Sequence, residues 1–138
     1  MLAAFAHVSW FAVFVASVAQ FVLGGVWFTV LFGKAYAAAL GIADRPAQKP
    51  SALMIAGPFV CSLFTITTTA LLLKALSVTT YAGAVEVGLV VGVGFLSAMT
   101  VNIAINPLFP RPFRYAAINV PFFLVGSVIA SVVLTAMQ

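Results

Sequence analysis

The stretch PSALMIAGPFVCSLFTITTTALLLKALSVTTYAGAVEVGLVVGVGFLSAMTVNIAINP, Pro50 to Pro107, carries only two charged residues, Lys74 and Glu86. An α-helix needs about 20 apolar residues to cross a hydrocarbon core roughly 30 Å thick. Pro50 to Leu73 meets that length, and so does Val87 to Pro110. Between the two helices lies only the short connection Leu76 to Thr80, which predicts that they are adjacent and antiparallel. Two more charge-free stretches flank this pair, Met1 to Gly33 before it and Tyr115 to Gln138 after it.

The expected fold is therefore all-α: an integral membrane four-helix bundle, antiparallel and up-down-up-down, forming a single transmembrane domain over residues 1–138. Its helices are expected at roughly Phe5 to Phe32, Ser51 to Ala75, Tyr81 to Ile105 and Phe113 to Ala136. Composition agrees, because the 138 residues are 64% hydrophobic and 6% charged, whereas a soluble domain has about a quarter of its residues charged. Ser17-Val18-Ala19 faintly resembles a signal-peptide cleavage site. No basic segment precedes it and the apolar run continues past Ala19, so the first helix is expected to be retained.

The connections fix an expected orientation. The first, Gly33 to Pro50, opens with an amphipathic piece, Lys34 to Leu40, stops at Gly41 and passes Asp44-Arg45-Pro46 and Lys49-Pro50. The third, Asn106 to Pro112, contains Pro107, Pro110 and Pro112, which disfavour helix. Together these two connections and their flanks hold Lys34, Arg45, Lys49, Arg111 and Arg114, against Lys74 alone on the other side. The excess of Lys and Arg predicts that connections 1 and 3 are cytoplasmic and that both termini lie outside. The net charge of +4 and pI near 9.7 arise from these flanking anchors, so the expected partner is anionic lipid headgroups and not nucleic acid.

Gly24-Gly25-Val26-Trp27-Phe28, followed by Leu31-Phe32-Gly33-Lys34-Ala35-Tyr36, resembles the signature of domain of unknown function family 1761, small bacterial four-helix membrane proteins. The likeness continues in Gly94-Phe95 and Ile118-Asn119. Where this chain has Phe28-Thr29-Val30 and Tyr36, the family commonly shows Tyr-Ser-Pro and a second tryptophan. The resemblance implies a four-helix bundle in the bacterial inner membrane and supplies no activity, so no catalytic residue is carried over from it.

Residues that could carry chemistry are few. Asp44 and Glu86 are expected on opposite sides of the membrane, which is incompatible with paired-carboxylate catalysis. His7, Cys61, Asp44 and Glu86 lack metal-ligand spacing. Cys61 stands alone within a span and is expected to be a buried packing residue, and no Ser or Cys has a base beside it. The chain is accordingly expected to be no enzyme, with neither metal nor named cofactor. The 13 Phe, 3 Tyr and 2 Trp suit lipid-facing surfaces and an interfacial belt, with Trp10 at the outer edge and Trp27 and Tyr36 at the inner.

Inside the spans, Gln20, Glu86, Asn102, Asn106 and Asn119 form a candidate intramembrane polar site, because uncompensated polarity in hydrocarbon is costly. Glu86 could instead pair with Lys74 across the tight connection. Small residues at helical spacing let membrane helices approach closely. Gly24, Gly126 and the stripe Ala84, Gly88 and Gly92 are the candidate helix-association positions, with Asn102 and Asn106 expected on broadly the side of that stripe. The expected role is helix packing, as a non-enzymatic or accessory subunit of a homo- or hetero-oligomeric membrane complex. The alternative is a small oligomeric transporter or channel. A cavity reaching Gln20 would favour the alternative, and a fully packed centre would favour assembly.

Overall fold

The computed structural model describes residues 5–46 and 49–138; the expectations that touch residues 1–4 and 47–48 lie outside them. Among the described residues every regular element is helical, and four helices are long and apolar enough to cross a membrane: Trp10–Leu31, Ala52–Ala75, Tyr81–Ala104 and Pro112–Ala136. They are the first to fourth spans of a multi-pass membrane protein. A short helix, Gly33–Ala39, follows the first span.

Local chemistry sets the helix ends. Ser9, Ser51 and Thr80 each adopt an extended backbone, and their side chains accept from the N–H of Ala12, Met54 and Gly83. Such caps satisfy donors that have no partner within the helix. Ser9 is the reason the first span begins regularly at Trp10, not at Phe5. The fourth span opens on Pro112, where a missing N–H costs nothing. The first connection turns at Gly41 with φ +69°, and a Cβ there would lie 2.9 Å from Pro110 Cγ. Connections 1 and 3 therefore meet at one end of the bundle.

Two spans depart from regular α-helix. The first continues as π-helix over Val26–Leu31, and the third is π-helical over Val90–Ser97. Each π turn takes more residues than an α turn, so the face downstream rotates. In the third span the buried positions run Ala84, Gly88, Val91 and Gly92, then Ser97, Thr100 and Ala104. The step from Gly92 to Ser97 is one residue longer than an α period allows. Asn102 and Asn106 consequently point outward and are exposed, correcting the expectation that they share the side of the small-residue stripe.

The fourth span is the hub, burying Ile118, Asn119, Phe122, Gly126, Ser127, Ala130, Ser131 and Leu134. The third span lies against it. A Cβ on Gly88 would stand 2.7 Å from Val128 Cα, one on Gly92 would stand 3.1 Å from Leu124 Cα, and Ser127 Oγ donates to Gly88 O at 2.8 Å. Ala12, Val13 and Ala16 of the first span pack with Ile66, Ala70 and Leu73 of the second and with Ala130 and Leu134 of the fourth. The second span is buried only toward its C-terminal end, whereas Leu53, Met54 and Ile55 near its start are 79%, 69% and 50% exposed. It is held at one end and open at the other.

Candidate functional site: a cleft beside the second span

The open half of the second span forms one wall of a cleft of about 600 Å³. Opposite it stand Gln20, Phe21, Gly24, Gly25, Phe28 and Thr29 of the first span and Asn119, Phe122, Phe123 and Gly126 of the fourth. Tyr36 and Pro50 line it at the end where connections 1 and 3 meet, and Ile66 and Thr69 line it toward the closed end. The π-helical part of the first span contributes Phe28 and Thr29; π segments recur at functional sites.

Among the described residues, no Asp, Glu, Lys, Arg or His belongs to the lining. Its polar side chains nearly all direct their donors into the fold. Thr29, Ser62, Thr65 and Thr69 hydroxyls donate to the carbonyls of Gly25, Pro58, Cys61 and Thr65 at 2.6, 2.9, 3.1 and 2.9 Å. Asn119 Nδ2 donates to Tyr115 O at 2.8 Å. These bonds let polar residues face hydrocarbon at little cost.

Gln20 is the exception. Its Oε1 is buried and has no hydrogen-bond partner, a situation that costs about 1–3 kcal/mol. Its amide rests where a side chain on Gly126 would stand, since a Cβ there would collide with it. Ser97 and Ser131 also carry buried hydroxyls without partners, but neither lines the cleft.

Aromatic rings lead from the cleft to the end of the bundle. Phe122 and Phe28 have centroids 4.8 Å apart, Phe28 and Tyr36 4.8 Å, Tyr36 and Tyr115 5.9 Å, and Tyr115 and Phe109 4.8 Å. Burial, and then the neighbouring Tyr115 hydroxyl, push the Tyr36 phenol up to about 12, so it remains a neutral hydroxyl at physiological pH. Trp27, expected at the membrane edge, donates through Nε1 to Ile118 O at 3.0 Å, tying the first span to the fourth.

Of the five residues proposed as a polar site, the structure brings Gln20 and Asn119 to the cleft. Asn102, Asn106 and Glu86 are exposed elsewhere. Asn106 Oδ1 accepts from Leu108 N at 3.0 Å and so shapes the third connection. Lys74 lies beside Val8, Ser9, Leu134 and Gln138. All five helix-association residues meet partners within the chain: Ala84, Gly88 and Gly92 are buried in the third span, Gly24 faces the Phe122 ring and Gly126 faces Gln20. Cys61, expected to be buried, is exposed on the cleft wall. Sequence reading missed the cleft because it depends on where the second span leaves its neighbours; the run of exposed large residues Leu53, Met54 and Ile55 is uniformly apolar and carries no sign of which side is vacant. The arrangement is suited to binding through apolar contact plus one hydrogen-bonding amide.

The family model described as a protein of unknown function, DUF1761, matches residues 11–135, and the chain belongs to that family. No curated protein and no solved structure matches it.

Proposed function

We propose that this DUF1761 member binds one amphipathic small molecule in the cleft and catalyses no reaction. The observation that carries this reading is the about 600 Å³ space with an apolar lining and the unpartnered Gln20 amide at its inner wall. Ligand pockets occupy roughly 300–1,000 Å³ and combine apolar walls with a few placed polar groups. A small carrier follows more naturally than a solid packing piece, because the small-residue faces that suggested assembly are occupied within the chain. The spans are read as up-down-up-down in the bacterial inner membrane. Connections 1 and 3, with their cations, lie on the cytoplasmic side and both termini lie outside.

Gly25 provides the test. It lines the cleft, and a Cβ on it would meet nothing within 4 Å, so a tryptophan there starts from open space and is expected to fill the cleft. Native mass spectrometry of protein extracted directly into nanodiscs should show an organic adduct on the wild type and none on Gly25→Trp. Equal adducts on both proteins would refute the reading.

A second reading, membership of a homo- or hetero-oligomeric membrane complex, is favoured by Glu86. This acid is exposed on the third span, and a neighbouring subunit offering a cation or donor there would relieve its placement. The mass of the extracted particle distinguishes the two.

A further inference from the structure

We infer that the molecule held in the cleft is two-ended: an anionic head, carboxylate or phosphate, at the Tyr36 and Pro50 end, and a second, uncharged hydrogen-bonding group on its hydrocarbon body at the level of Gln20. This rests on the cleft-binding reading and adds to it the charge and spacing of the ligand.

Among the described residues the lining itself contains no Asp, Glu, Lys, Arg or His, so a charge on the ligand must lie beyond it. The two ends of the cleft differ sharply. At the closed end Ile66, Ala70 and Leu73 pack against Ala12, Val13 and Ala16, a dry apolar seal. At the open end Lys49 adjoins Pro50 in sequence, Lys34 stands two residues before Tyr36, and both lysines are exposed. Arg111 and Arg114 are brought to the same end by the contact of Gly41 with Pro110 and of Tyr36 with Tyr115. With Arg45 these make five cations against one carboxylate, Asp44. Each basic side chain near a membrane surface adds attraction for an anionic headgroup.

The body of the ligand is specified by what the lining does with its own polar groups. The Ser and Thr hydroxyls on the second span donate backwards along their own helix, which leaves a surface compatible with methylene groups. Among the described residues of the lining, Gln20 alone has a fully buried side-chain atom without a partner. It stands eleven residues before Leu31, the end of the first span, which at up to 1.5 Å per residue places it no more than about 16 Å in from the cationic end. A hydrocarbon with no donor at that depth would leave Gln20 Oε1 unsatisfied, whereas a hydroxyl or an amide N–H there would donate to it once the enclosed amide turns toward the cleft.

The experiment compares three probes by native mass spectrometry, using the full chain in nanodiscs of zwitterionic lipid. They are a long-chain fatty acid with a mid-chain hydroxyl, the same acid without the hydroxyl, and the methyl ester of the hydroxy acid. The hydroxy acid should bind best, by roughly fivefold over the plain acid, the value of about one hydrogen bond, and by a similar or larger factor over the ester. Gln20→Leu should erase the hydroxyl preference alone. The double variant Lys34→Gln, Lys49→Gln should weaken the acid-over-ester preference alone, and Gly25→Trp should abolish binding of all three. Probes that bind alike yet are blocked by Gly25→Trp would overturn the two-ended ligand and leave cleft binding intact. Binding indifferent to Gly25→Trp would overturn both. The head on any copurifying native amphiphile, read from its fragment masses, distinguishes carboxylate from phosphate; a neutral head would count against the inference.

Discussion

Replacing Gly88 by alanine and, separately, Gly25 by alanine sets two identical chemical changes in opposite surroundings. At Gly88 the new methyl would stand 2.7 Å from Val128 Cα and 3.0 Å from Ser127 O, both backbone atoms that cannot swing aside. Forcing a group into such a contact costs roughly 1–3 kcal/mol. Separation of the two helices would also stretch the 2.8 Å bond from Ser127 Oγ to Gly88 O, worth about 0.6 kcal/mol between membrane helices. Against this stands a gain in helix propensity of up to ~1 kcal/mol, leaving a net loss of about 1–2.5 kcal/mol. At Gly25 the propensity gain acts alone, because a Cβ there meets nothing within 4 Å. The two variants should differ by about 2–3.5 kcal/mol, a factor of roughly 30 to 400 in the folded-to-unfolded ratio. Reversible unfolding in mixed micelles, titrated with a denaturing detergent and followed by circular dichroism, measures the difference. Equal stability of the two variants would refute the placement of the third span against the fourth.

Gln20→Leu should stabilise the ligand-free protein by about 1 kcal/mol, since it removes a buried acceptor without a partner; the same detergent titration, showing a loss instead, would mean the amide is already satisfied. Cys61, exposed on the cleft wall, should react faster with a membrane-permeant maleimide in the wild type than in Gly25→Trp; equal measurable rates would contradict the open cleft. The phenolate absorbance lost in Tyr36→Phe should develop near pH 12, not near the ordinary 10.0. Because the folded-state value is raised, burial of the neutral phenol stabilises the fold fully below pH 10, and that contribution is lost as pH rises through 12. A phenolate forming near pH 10 would place Tyr36 in solvent.

Length and charge made the spans legible: a charge-free run has few alternatives to a helix that crosses the membrane, and the observed limits of the second, third and fourth spans lie within a residue of those expected from sequence. The small stripe Ala84, Gly88 and Gly92 was legible as a contact face because small residues at that spacing admit a neighbouring backbone. Asn102 and Asn106 were misplaced for a specific reason. An α-helical wheel assumes constant phase, and nothing in Val90–Ser97, a run of Val, Gly, Phe, Leu and Ser, signals the π-helix that shifts it. Gln20 was recognisable as a polar group needing an explanation. That its partner is not another side chain depends on the packing of Gly126 and on the divergence of the second span, both tertiary properties.

The one-sided attachment of the second span also determines how a ligand would be supplied. If the cleft binds an amphiphile, a wall formed by a hydrocarbon-facing helix held at one end only would admit it from the bilayer, by lateral diffusion within a leaflet. Occupancy is then governed by the mole fraction of the amphiphile in the membrane, not by its concentration in water. Diluting vesicles into more buffer should leave a fully partitioned ligand bound, while adding ligand-free lipid should remove it.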